Sequence, residues 1–127
     1  MALDMLFADR TTATLAKCLD GVGLKQRVIA DNIANVETPG FTRSDVDFED
    51  QLKEALASDP DTVTQRIGLV NAKVRVDRAS PARADGNNVS IDKEMASMTK
   101  NTMQYEALVQ LMNLKGAMLR SAIEGRR

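Results

Sequence analysis

The chain has 127 residues, enough for one domain, with 17 basic against 18 acidic residues and a formal net charge of −1. That balance argues against nucleic acid, whose phosphates require a concentrated basic face, and the complete lack of histidine removes the commonest metal ligand and the commonest general base at neutral pH. Three Phe, one Tyr and no Trp stand against seven Met, a composition suited to apolar seams along helices rather than to a compact core rich in aromatic area.

Smaller features point the same way. The local basic pairs, Arg75 with Arg78 and Arg126 with Arg127, read as solvated surface. Cys18 is the only cysteine, so no intrachain disulfide can form, and its place among apolar positions makes it a packed small hydrophobe. No run approaches the roughly 20 apolar residues of a membrane span. The first residues lack a basic n-region, and Asp4 interrupts their short apolar stretch, so they do not form a cleavable signal peptide. A chain of this kind would leave the cytoplasm only by a route that needs no such signal.

In chain order, residues 1–36 form an N-terminal helical segment. Leu15, Leu19, Val22, Ile29, Ile33 and Val36 recur at alternating steps of four and three, with Gln26 as one polar interruption. Gly21 and Gly23 interrupt this seam, each costing about 1 kcal/mol relative to Ala in a helix interior. Such a helix is weak alone and needs a partner. Its end lies in the stretch from Ala30 to Phe41. The side-chain amides of Asn32 and Asn35 can bond backbone groups left unpaired at the helix end. Thr38 is pushed towards an extended conformation by Pro39, and Pro39-Gly40 suits the central positions of a type II turn. Phe41 would then fold its ring back onto the helix or into a neighbour. On spacing alone, this is a helix stop.

Residues 37–89 are mixed, partly ordered and the most mobile part of the expected structure. Asp47 is placed to cap a short amphipathic helix carrying Phe48, Leu52, Ala55 and Leu56, which ends before Pro60. The carboxylates Asp45, Asp47, Glu49 and Asp50 could suggest a metal or acid/base site. Without His or a glycine-rich phosphate loop, they read better as a solvated helix start. Val74 and Val76 alternate with charged residues as in a short strand, Ser80 to Arg83 reads as loop, and Asp85-Gly86-Asn87-Asn88 is a turn signal.

Residues 90–127 form a C-terminal helical segment. Ile91, Met95, Met98, Thr102, Tyr105, Val109, Met112, Gly116, Leu119 and Ile123 alternate four and three without a break, and Leu108 and Leu111 widen the stripe. Ser90 suits the N-cap, Asp92 and Glu94 suit the first turn, and Gly125 suits the stop. The helix would be about 50 Å long at 1.5 Å per residue, too long to bury within so small a domain. The expected fold is mainly α: long N- and C-terminal helices in a coiled-coil-like pair, with a short irregular or β-containing middle. The pair could be a simple intramolecular hairpin, a surface that bundles between chains, or a helical adaptor or export chaperone that grips a partner's amphipathic segment.

The motif Asn32, Ile33, Ala34, Asn35, Thr38, Pro39, Gly40 and Phe41 resembles the signature of the flagellar basal-body rod and hook family. Asp31 stands where that family more often has Asn, and Glu37 where it has Asp or Asn. The stretches Ser90-Ile-Asp-Lys-Glu-Met and Asn101 to Leu111 are similar to its proximal-rod branch, whereas sister branches more often show Arg-x-Tyr-x-Ala-Asn in place of Gln104 to Leu108. Residues 59–87 carry no such likeness. The resemblance implies a structural subunit without enzymatic activity, cofactor, metal or small-molecule substrate. It implies self-assembly through the terminal helices into a torque-transmitting helical tube in the periplasm. The implied partners are other copies, other rod proteins, ring and adaptor proteins at the rod base, and the flagellar type III export apparatus.

Overall fold

The computed structural model describes residues 9–125. Among the described residues six elements follow one another: α1 (Arg10–Ala34), β1 (Ser44–Asp47), α2 (Glu49–Leu56), α3 (Val63–Leu69), β2 (Lys73–Val76) and α4 (Ile91–Glu124). The mainly helical architecture with two long terminal helices agrees with the sequence reading. These helices run antiparallel, as three contacts along their length show: Lys115 Nζ to Asp9, Gln26 Nε2 to Thr102 Oγ1, and Asn32 Nδ2 to Glu94 Oε2.

The middle elements bury their apolar residues on α1. Val22 and Val28 pack with Val46 and Phe48, joined by Leu24, Ala72 and Leu108. Leu52, Ala55, Val63, Ile67 and Val70 form a second cluster, reached from α1 by Ala13 and Cys18. The strand expected at Val74 and Val76 is present as β2. It pairs antiparallel with β1 in a two-stranded sheet, placing Val46 opposite Val74 and Asp47 opposite Lys73. Both valines of β2 remain about half exposed (51% and 52%), so the strand is held by backbone pairing and not by core burial.

One expected cap is corrected. Asp47 does not cap the short helix. It is the last residue of β1 and pairs with Arg75, while Phe48 takes the N-cap position with no side-chain cap bond. Burial of Phe48 fixes this register: its ring is 3% exposed, and strand alternation then turns its neighbour Asp47 outward. Ser90 does hold the expected N-cap position of α4, without a side-chain cap bond, its carbonyl accepting from the Glu94 N–H at 2.9 Å. Gly125 does end α4 as expected, at φ 68°.

The two glycines of α1 also part company. A Cβ on Gly21 would lie 2.6 Å from the Phe48 ring, whereas one on Gly23 would meet nothing within 4 Å. Gly21 is therefore the seat of the ring that anchors the middle region to α1. Gly21→Ala should lose about 1–3 kcal/mol through overpacking, outweighing its gain in helix propensity. Gly23→Ala should gain up to about 1 kcal/mol. Urea unfolding followed by far-UV circular dichroism measures both; equal effects would show that the ring yields freely.

Candidate functional site

The face between α1 and α4 is less apolar than the heptads suggested. On α1, Leu15, Val22 and Ile29 are buried, while Leu19, Ile33 and Val36 are half-buried. On α4, Met98, Val109, Met112 and Leu119 are half-buried, and Ile91, Met95, Tyr105 and Ile123 are exposed. The buried residues of α4 are polar: Glu94 and Asn101. The reason is geometric. A strict seven-residue stripe drifts by about 20° per heptad around a straight helix, so ten positions over 34 residues cannot all face one partner.

Polar residues key the register. Asn101 donates from Nδ2 to the Val22 carbonyl (3.0 Å) and to Gln26 Oε1 (2.7 Å), and Gln26 in turn donates to Thr102. Gln26, which broke the predicted seam, is thus answered by the helix opposite. Near the other end, Asp9 caps α1 by accepting from the Thr12 N–H at 2.7 Å and also accepts from Lys115. The hydrogen bond from Lys115, with those from Thr12, draws the Asp9 carboxyl down to about 2.

At the C-terminal end of α1 the family motif forms a corner. The Phe41 N–H bonds the Thr38 carbonyl at 3.2 Å, and Gly40 has φ 74°, closing the turn expected at Pro39-Gly40. Asn35 caps as anticipated, donating to the Asp31 carbonyl at 2.8 Å and accepting from Thr38 Oγ1 at 3.2 Å. Asn32 acts differently. Its amide pairs with both backbone groups of Ser44, donating to the carbonyl at 2.8 Å and accepting from the N–H at 3.0 Å, so it docks the incoming strand. Ile33 is half-buried, and Ala34, Thr38, Pro39 and Gly40 are exposed. Phe41 is half-buried and borders a shallow hollow with Val28, Asn32 and Asn35.

The corner is completed by residues that motif reading did not single out. Asn87, fully buried, donates to the Asn35 and Thr38 carbonyls (2.8 Å each) and to that of Val36 (3.2 Å). Arg83 reaches the Val36 and Val89 carbonyls. The Gly40 N–H bonds the Asp85 carbonyl at 2.8 Å, and a Cβ on Gly86 would stand 3.4 Å from Gly40 Cα, so two turns abut backbone to backbone. Glu94, read from sequence as a helix-dipole residue, is 2% exposed. It accepts from Arg43 Nε at 2.7 Å and from Asn32. Arg43 also holds Asp77 at 2.7 Å. Hydrogen bonds from Ser80 and then Arg43 hold the Asp77 carboxyl well below the usual carboxylate range. The only advance signal was the adjacent pair Asn87-Asn88, read simply as a turn.

The acidic run of the middle does not converge. Asp47 pairs with Arg75 and Glu49 with Lys25, while Asp45 accepts its neighbour's N–H. Among the described residues no group of three His, Cys, Asp or Glu side chains is placed to hold a metal ion, and no helix is long and apolar enough to cross a membrane.

Two outcomes follow from this geometry. Arg43→Ala leaves Glu94 buried without its cation and should lose about 3–5 kcal/mol of stability, read as a fall in urea midpoint; Glu94→Gln should lose less. At Gly40 a Cβ would meet none of the described residues within 4 Å, so the positive φ is what matters. Gly40→Asn should cost less than about 1 kcal/mol and Gly40→Val about 2, a ranking that thermal unfolding measures directly.

A family model described as flagella basal body rod protein matches residues 24–42, the C-terminal half of α1 and the corner. The chain is 32% identical over 121 residues to the flagellar basal body rod protein FlgB of Bacillus subtilis (strain 168), spanning 91% of this chain and 94% of that protein. It is 38% identical over 108 residues to that of Borrelia hermsii, spanning 73% and 80%. It is 30% identical over 110 residues to that of Escherichia coli (strain K12), spanning 74% and 80%. Matched to such relatives over most of its length, the chain belongs to the flagellar basal body rod protein FlgB family.

Proposed function

We propose that this chain is a non-catalytic structural subunit of the bacterial flagellar basal-body rod, polymerising through α1 and α4 into a torque-transmitting helical tube in the periplasm. The observation that carries this reading is the surface of α4. Large apolar residues lie on every side of it, while the chain covers one face. Met103, Leu114, Met118 and Ile123 are each 58–65% exposed. A helix apolar all round is one that ends up buried, and exposed apolar area on this scale marks an interaction surface.

The seam residues named from sequence divide between these roles. Leu15, Val22 and Ile29 hold the subunit together; Ile91, Met95, Tyr105 and Ile123 face outward towards neighbours. The motif from Asn32 to Phe41 sets the angle at which the chain leaves the inner helical layer. Different faces meeting head to tail generate an open helix and not a closed ring. The partners are other copies, other rod proteins, and ring and adaptor proteins at the rod base. Delivery is through the flagellar type III export apparatus.

Leu119→Arg tests this. Leu119 lies on the half-buried part of the C-terminal stripe. A charge there should abolish swimming and rod assembly when the variant replaces the wild-type chain in a flagellated bacterium, while the isolated variant keeps its helical content. Normal rods and normal motility would overturn the reading.

A further inference from the structure

The solvent face of α1 is low in relief and carries unanswered charge. At 100° per residue, Ala16, Asp20, Gly23, Arg27, Ala30 and Ala34 fall within an arc of about 80°, with Asp31 at its edge. All are exposed except Gly23, which is half-buried, and a Cβ on Gly23 would meet none of the described residues within 4 Å. The rest of the chain packs on other sides of α1. Asn101 of α4 reaches the Val22 carbonyl and Gln26, and the Phe48 ring sits against Gly21. Asp20, Arg27 and Asp31 take part in no ion pair among the described residues. Lys17, beside the arc, donates to the Val70 carbonyl at 2.9 Å and has no carboxylate partner there either.

The order of these charges is basic, acidic, basic, acidic: Lys17, Asp20, Arg27, Asp31. Turning α1 end over end about the point between Gly23 and Leu24 exchanges Asp20 with Arg27. The same turn brings Lys17 within one residue of Asp31, about 1.5 Å along the axis. The pattern is thus its own complement when reversed. A purely acidic or purely basic partner would be repelled at half of these positions, whereas an inverted copy is attracted at all four. Lys17 and Asp31 also lie on one flank of the arc, and antiparallel helices related by a two-fold axis bring like flanks together.

We infer that two copies of this chain pair through the solvent faces of antiparallel α1 helices, Asp20 of each meeting Arg27 of the other. Lys17 and Asp31 form the outer ion pairs. The absence of large side chains at Ala16, Gly23 and Ala30 lets the helices approach closely enough for the charges to meet. Such a contact is isologous: it closes on itself and adds no third copy. It is therefore a resting form of the unassembled chain, separate from the head-to-tail contacts of the rod reading and independent of them. One helix face covers less than the roughly 1,200 Å² of stable interfaces, so the expected dissociation constant is weak, on the order of 0.1 mM.

Sedimentation equilibrium of the full chain over a range of concentrations tests this, with Asp20→Arg, Arg27→Asp and the double exchange. Both positions are exposed, and circular dichroism first establishes that each variant folds; if a reversal does not, Asp20→Asn or Arg27→Gln replaces it. The wild-type chain should pass from monomer to dimer and no further, and high salt should weaken the dimer. Each single reversal should weaken pairing at least tenfold, because the two-fold axis repeats every lost contact. The double exchange should restore it. An equal mixture of the two single variants should also pair, since one then carries cations at both positions and the other carboxylates. A chain monomeric at every concentration overturns the inference. So does a dimer indifferent to the reversals, which would use another surface, or association that continues beyond two copies. Single variants that fold yet stay monomeric when mixed would show that the reversals act by some route other than these contacts, and would overturn it equally.

Discussion

A carboxylate with 2% exposure is stable only where a cation and further donors surround it, and at Glu94 this requirement joins three separate parts of the chain. Arg43 approaches from the segment before β1, Asn32 from the last turns of α1, and Glu94 itself opens α4. Arg43 continues to Asp77 beyond β2, and Asn88 ties both, accepting from the Arg43 N–H and donating to the Asp77 carbonyl at 2.7 Å each. The crossing of the two long helices is thus fixed at one end by a polar knot. Where α4 points afterwards is a consequence of that knot, because a 34-residue helix amplifies any change of angle at its first turns.

Further along, polar contacts again hold the pair in register, first at Asn101 with Gln26 and then at Lys115 with Asp9. A buried Asn between helices selects one register at some cost in stability, and here the Oδ1 of Asn101 has no hydrogen-bond partner among the described residues. The division of labour follows. Hydrogen bonds specify the intramolecular pairing, and the aliphatic side chains of α4 are released to face outward. An apolar α1–α4 seam would have been stronger, but it would have consumed the surface that the proposed assembly needs.

Much of this was legible in the sequence, for identifiable reasons. Both long helices announce themselves through periodicity, because a three-four spacing sustained over several turns has no other common reading. The corner at Thr38 to Phe41 was readable because Pro and Gly restrict backbone angles locally, independent of tertiary context. What could not be read was contact at a distance. Asp47 looked like a cap and became a strand residue because Phe48, one position on, found a seat on Gly21, 27 residues earlier in the chain. Glu94 looked like a solvated first-turn acid because nothing near it in sequence reveals Arg43. The outward turn of Ile91, Met95 and Tyr105 was hidden for a subtler reason: a heptad count assumes a supercoil, and the helix follows its own 3.6-residue period.

Gly21 and Gly23 show how these levels combine. Both weaken α1 as an isolated helix, and only Gly21 recovers that loss inside the chain, by seating Phe48. The terminal pair is therefore held chiefly where the middle elements and the polar knot support it, at residues 22–32 of α1 and 94–108 of α4. Beyond Lys115, α4 continues through Leu119 and Ile123 to Glu124 with its apolar residues at most half covered. A single helix-on-helix contact there falls short of the roughly 1,200 Å² buried by stable specific interfaces. One neighbour is then too little to hold a subunit, whereas several neighbours engaged at once multiply their effect through effective concentration. On the proposed reading, the same weakness that keeps the free chain from pairing indiscriminately makes its addition to a growing rod cooperative.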